Sequence, residues 1–200
     1  MAIATYLLLD GLHFGESPRW HEGRLWYSDF YDHAIHAVDL SGNDLRLVEL
    51  PGQPSGLGWL PDGSLLVVSM LDHRVLRIEG AGRDEALSVS VSQHADIGSD
   101  CGFWANDMVV DSLGRAYVGN FGFDYETVLK EQGIEALFTD DPSHRTNLSL
   151  IEPDGTTRRA AEGLTFPNGM VILPDGRTLI VAETFRMRLT AFDIALDGSL

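Results

Sequence analysis

The sequence has a single cysteine, Cys101, and only 14 lysines and arginines against 30 aspartates and glutamates. One cysteine excludes an intrachain disulfide, which fits a reducing, cytoplasmic setting. A formal charge of -16 repels phosphate backbones, so nucleic acid is not an expected partner. The same field attracts cations. It also keeps a protein soluble without serving any site.

No apolar run is long enough to span a bilayer, so no membrane partner is expected. The start, Met1 to Asp10, is apolar but lacks a basic n-region and a cleavage pattern, and it does not read as a signal peptide. Without such a signal, the sequon Asn147-Leu148-Ser149 reads as chance. There is no Gly-x-Ser-x-Gly elbow, and no Gly-x-Gly-x-x-Gly or Walker loop. A serine hydrolase of the elbow type and the common nucleotide sites are therefore not expected. His13, His21, His33, His36, His73, His94 and His144 are scattered. The pair His33 and His36, if both lie in one strand, falls on opposite faces, so a histidine zinc site is set aside.

Glycine is plentiful, at 21 of 200 residues. Four glycines mark a repeat: Gly23, Gly63, Gly114 and Gly176. Two of their turns are Pro-Asp-Gly, in which proline presets φ and glycine accepts positive φ. A strand-forming run follows each: Leu25–Ser28, Leu65–Val68, Ala116–Gly119 and Leu179–Ala182. A later run in each unit alternates and ends on an acid, as in Ile35–Asp39 and Leu148–Glu152. Such alternation predicts one buried face and one wetter face.

A unit of several short strands repeated at this spacing predicts an all-β fold, a β-propeller of four-stranded antiparallel blades. About four blades' worth of sequence is present in one domain over residues 1–200. A single sandwich or closed barrel is the alternative, but it leaves the fourfold motif unexplained. The last unit ends at Asp197-Gly198-Ser199-Leu200, which reads as a turn without its next strand. The expectation is that the chain stops before its repeats are complete. Between Asn120 and Leu148 the third unit carries a long insertion. Tyr125–Phe138 within it predicts a short helix weakened by Gly133, and the insertion reads as a rim over a site or a plain surface excursion.

Aligned on the turn glycines, Glu16, Asn106 and Asn168 take corresponding positions in the first, third and fourth units, with Ser55 and Gly56 in the second. In a propeller these positions converge on the central channel. One carboxylate and two amide oxygens would favour a hard cation such as Ca²⁺ or Mg²⁺. Asparagine before Asp or Gly is also a common turn residue, because it tolerates left-handed geometry.

Three motifs contain these residues: Gly15-Glu16-Ser17-Pro18-Arg19-Trp20, Asn106-Asp107-Met108-Val109-Val110-Asp111, and Phe166-Pro167-Asn168-Gly169-Met170 with Pro174-Asp175-Gly176. Together they resemble the regucalcin/gluconolactonase family, from about Leu12 to Leu200. The resemblance implies a six-bladed propeller with one divalent metal, most simply Ca²⁺, with Mg²⁺, Mn²⁺ or Zn²⁺ as other choices. It implies Glu16 and Asn168 as metal ligands and Asn106 at metal and substrate. It also implies hydrolysis of sugar lactones and related esters, with a small-molecule lactone as substrate, the metal polarising the carbonyl and a metal-bound Asp helping to activate water. That Asp belongs to a later blade of the family, beyond Leu200, so no catalytic residue is assigned here. Asp107 and Asp111 are expected to serve turn and strand instead. Trp104 stands where many sugar-lactone members carry a substrate-binding Arg, and an aromatic wall suits a less polar substrate. Trp26, by contrast, is expected in the core. Two other readings of the architecture are a non-catalytic calcium-binding propeller and a protein-interaction platform without metal.

Overall fold

The computed structural model describes residues 5–82 and 89–200. Met1 to Ala4, the first part of the apolar start, lie outside the described residues. Four antiparallel sheets follow one another along the chain as the blades of a propeller. The first is β1 (Gly15–His21), β2 (Arg24–Asp29), β3 (Ala34–Val38) and β4 (Asp44–Glu49). The second is β5 (Pro54–Trp59), β6 (Leu65–Ser69), β7 (Arg74–Glu79) and β8 (Ser90–Asp96). The third is β9 (Ala105–Val110), β10 (Ala116–Asn120), β11 (Arg145–Ile151) and β12 (Thr157–Thr165). The fourth has three strands, β13 (Pro167–Ile172), β14 (Thr178–Glu183) and β15 (Arg188–Asp193).

The turn chemistry acts as the sequence predicts. Glu22 and Gly23 both take positive φ, 48° and 79°, between the paired residues His21 and Arg24. That is a two-residue hairpin loop whose twist matches its strands. At the second blade Gly63 has φ 84° and donates its amide to Leu60 at 2.9 Å. Gly176 does the same for Leu173 at 2.8 Å.

The core consists of the interfaces between consecutive blades. Trp26, Ile35 and Ala37 meet Leu57, Leu65 and Val67 between the first and second. Leu66, Val68 and Val75 meet Met108, Ala116 and Val118 between the second and third. Tyr117, Leu148 and Leu150 meet Met170, Leu179 and Val181 between the third and fourth. Successive residues of β6 thus feed two different interfaces, Leu65 and Val67 one way, Leu66 and Val68 the other. This corrects the expected wet face. β3 is buried throughout, and so is β11 after Arg145. Alternation sorts these residues between two dry interfaces rather than between core and solvent. Only β15 keeps the expected alternation of exposure.

Consecutive blades approach closely. A Cβ at Gly56 would lie 2.5 Å from the Met108 amide nitrogen, and one at Gly119 would lie 2.8 Å from the Pro167 carbonyl. Only glycine permits those contacts.

The insertion after β10 forms α1 (Tyr125–Gln132) and α2 (Ile134–Leu137). Asp124 caps the first by accepting from the Thr127 amide at 3.0 Å, and Gly133, at φ 86°, divides the two. His33 is not in a strand; it occupies the turn before β3 at φ 55°. His36 is buried between Asp44, 2.7 Å from Nδ1, and Asp32, 3.1 Å from Nε2. Asn147 is buried within β11, out of reach of a glycosylating enzyme. Trp26 lies in the core as expected, whereas Trp20 is exposed.

Candidate functional site

Each innermost strand carries a bulge at the aligned site position. Pairing between β1 and β2 shifts between Glu16 and Arg19, and between β5 and β6 it shifts between Pro54 and Leu57. The β13–β14 register shifts between Pro167 and Met170. In β9, the shift falls between Ala105 and Met108, across Asn106. Bulges re-aim side chains and are common beside functional sites. Asn106 and Asn168 are therefore strand residues at bulges rather than left-handed turn residues, and neither has positive φ.

Glu16, Asn106, Asn168 and Trp104 all border one cavity of about 490 Å³, a volume usual for small-molecule sites. Asn106 Nδ2 donates to Asn168 Oδ1 at 3.3 Å and to the Pro167 carbonyl at 3.4 Å. Asn168 Nδ2 donates to Thr184 Oγ1 at 3.1 Å. On the other side Ser55 Oγ reaches Asn106 Oδ1 at 3.5 Å, and Ser28 Oγ donates to the Ser55 carbonyl at 2.7 Å. A chain of polar contacts thus crosses all four blades.

Glu16 is half-buried and makes no ion pair among the described residues. Burial pushes its carboxyl above the ordinary range, the negative charge of Asp107 adds to this, and the Ser17 amide opposes it. A cation near Glu16 would relieve both penalties. Among the described residues, no group of three or more His, Cys, Asp or Glu is placed to hold a metal. A metal here would rest on one carboxylate and two amides. This hard-oxygen donor set fits an alkaline-earth ion better than a soft one.

Asp107 and Asp111 are engaged elsewhere. Asp107 accepts from Ser17 Oγ at 3.0 Å, from Arg19 at 3.2 Å and from the Met108 amide at 2.7 Å. Asp111 accepts from the Leu113 and Arg115 amides, each at 2.9 Å, and pairs with the Arg115 guanidinium at 2.7 Å. Burial, with Asp100 and Asp96 adding to it, pushes the Cys101 thiol up to about 12, so it stays protonated and unreactive near neutrality.

A second set of residues lies behind the site, and the sequence reading passed over it. The last residue of the second strand in each blade pairs with the residue just before the site position: Asp29 with Gly15, Ser69 with Pro54, Asn120 with Ala105, Glu183 with Pro167. All four are buried. Asp29 accepts from the amides of His13 and Phe14, both at 2.9 Å. Asn120 accepts from the Gly102 amide at 3.2 Å, and Glu183 from the Thr165 amide at 2.8 Å. Each of these three ties down the loop that delivers a site residue. Ser69 differs by turning to Asp72, at 2.6 Å. Their spacing was available as a signal: each lies thirteen to fifteen residues after its site residue.

Apart from Gln53 and Glu126, the rest of the cavity is aromatic. Phe14, Phe30 and Tyr31 form one group, with Phe30 and Tyr31 4.8 Å apart. Trp104, Phe121, Tyr125 and Phe166 form the other, with Phe121 stacked on Phe166 at 4.4 Å. Tyr125 and Glu126 come from α1, so the insertion does border the site.

The fold is similar to that of a gluconolactonase from Xanthomonas campestris, with 21% identity and a TM-score of 0.71 over 96% of this chain and 62% of that one. It is similar to regucalcin from Agrobacterium tumefaciens, described as a calcium-binding protein, with 20% identity and a TM-score of 0.66 over 96% and 57%. It is also similar to a virginiamycin B lyase from Staphylococcus aureus, with 12% identity and a TM-score of 0.55 over 90% and 55%. The chain spans about three fifths of the length of these structures. Residues 14–200 match the model of the SMP-30/gluconolactonase/LRE-like region, and the chain belongs to that family.

Proposed function

We propose that this protein hydrolyses a lactone or related carboxylic ester with the help of one divalent metal ion, Ca²⁺ in the first instance. The observation that carries the reading is Glu16, a half-buried carboxylate without a counter-charge among the described residues, bordering one cavity with the paired amides of Asn106 and Asn168. Family membership and the similarity to a gluconolactonase support it. When bound, the ion supplies Lewis-acid polarisation of a carbonyl and acidification of water.

The chain's own residues have separate tasks. Glu16, Asn106 and Asn168 would hold the ion. The Ser55, Thr184 and Pro167 contacts orient the two amides, so their dipoles are set before a ligand arrives. The aromatic groups limit water in the cavity. Asp107 and Asp111 hold Ser17, Arg19 and Arg115 and are assigned structural tasks.

The test is thermal denaturation with and without Ca²⁺, together with turnover of a lactone panel, for the protein and for Glu16→Gln. Calcium should raise Tm, the substitution should remove that rise, and turnover should vanish with it. Turnover unchanged in Glu16→Gln sinks the assignment. A calcium-dependent Tm rise without any hydrolysis would favour the second reading, a calcium-binding propeller, which the similarity to regucalcin supports.

A further inference from the structure

The cavity joins a polar strip to an aromatic lining. The strip consists of Glu16, Asn106 and Asn168, and Gln53 and Glu126 also border the cavity. Phe14, Phe30 and Tyr31 form one aromatic group, whose rings meet at 4.8 to 5.9 Å. Trp104, Phe121, Tyr125 and Phe166 form the main wall, with Trp104 and Phe121 6.1 Å apart and Tyr125 edge-on to Phe166 at 5.7 Å. Among the described residues, no arginine or lysine borders the cavity. Both amide hydrogens of Asn106 are spent on Pro167 and Asn168, and Asn168 spends one of its two on Thr184.

These facts bear on what fills the space beyond the reacting group. A polyhydroxylated ring would bring several hydroxyls against aromatic faces, and each one left without a partner loses affinity. A flat apolar group loses nothing there and gains offset or edge-on contacts with the rings. The walls also come from three separate parts of the fold: the first blade, the third and fourth blades, and α1. They therefore offer a ligand aromatic surface at more than one point of the cavity.

We propose that the site takes lactones bearing an aryl group, with the carbonyl at Glu16, Asn106 and Asn168 and the aryl ring on the wall of Trp104, Phe121, Tyr125 and Phe166. The lactone half of this statement rests on the hydrolase reading above. The aryl half rests on the lining alone.

The test separates the two halves by using ligands without a carbonyl. Binding of 2-phenyltetrahydrofuran and of 1,5-anhydroglucitol is measured by calorimetry, in parallel with turnover of γ-phenyl-γ-butyrolactone and glucono-1,5-lactone. The aryl ether should bind about tenfold more tightly than the polyol. Tyr125→Leu, on a helix that buries no residue, and Trp104→Leu should each weaken the aryl ether several-fold and leave the polyol unchanged. Equal or tighter binding of the polyol overturns the proposal, as does aryl binding that neither variant weakens. Turnover of the sugar lactone in preference to the aryl lactone also overturns it, while upholding hydrolysis. Tight aryl binding with no turnover of either lactone sinks the hydrolase reading and upholds the aryl wall.

Discussion

Ser17 Oγ donates to Asp107 Oδ1 at 3.0 Å, across ninety residues of sequence, and accepts from the Leu57 amide at 2.9 Å. One hydroxyl thereby joins the inner strands of three blades, immediately beside Glu16. Arg19 doubles the tie by donating to Asp107 at 3.2 Å and to the Met108 carbonyl at 2.8 Å. Two of the sequence motifs are thus halves of one hydrogen-bonded cluster.

Ser17→Ala removes this tie and leaves the buried Leu57 amide without its partner, while Asp107 Oδ1 keeps Arg19 and the Met108 amide. The expected loss is about 1–3 kcal/mol of stability, read as a lower urea midpoint with an unchanged m-value. A loss within a few tenths of a kcal/mol would mean that water or Arg19 replaces the hydroxyl.

Asn120 should act on the site without bordering it. Its Oδ1 receives the Gly102 amide at 3.2 Å and Thr146 Oγ1 at 2.6 Å, while its Nδ2 reaches the Asn147 carbonyl at 3.1 Å. Asn120→Ala should lower the urea midpoint and also weaken calcium binding several-fold, since the loop before Asn106 loses its anchor. Lower stability with unchanged calcium affinity would limit Asn120 to a structural role.

Glu183 sets an acid limit on the fourth blade. Burial pushes its carboxyl up, but hydrogen bonds from Arg188, Thr190 and the Thr165 amide outweigh this, and its pKa lies below the ordinary value of 4.5. A carboxyl lowered in the folded state contributes stability above its unfolded value, and that contribution is lost as pH falls through the folded value. Between pH 7 and pH 3, Glu183→Gln should therefore lose less stability than the parent. Parallel stability curves for the two proteins would contradict this.

Gly56→Ala should be costly although it adds one methyl group. The new Cβ would lie 2.5 Å from the Met108 nitrogen and 2.6 Å from the Met108 Cβ, and neither is a flexible chain end. Forcing the second and third blades apart should cost about 1–3 kcal/mol, measured by chemical denaturation. Gly133→Ala, at a position with open space around it, should affect only the α1–α2 junction.

Much of this protein is legible along the chain. Turn glycines, strand-forming runs and the offset that aligns Glu16, Asn106 and Asn168 act over a few residues, so local chemistry reveals the blades and the site positions. The weak point at Gly133 in the insertion is equally local, and the structure divides the expected helix into two there. What only the tertiary structure decided depends on how the blades stack. Alternation within β3 and β11 could not say that both faces are dry, because the second face is covered by groups from elsewhere in the fold. The Ser17–Asp107 bond and the supports at Asp29, Asn120 and Glu183 depend on which backbone amides come to lie opposite each side chain. The two aromatic walls are drawn from Phe14 to Phe166. No sequence period links such residues, because their convergence follows from the angle at which one blade packs on the next.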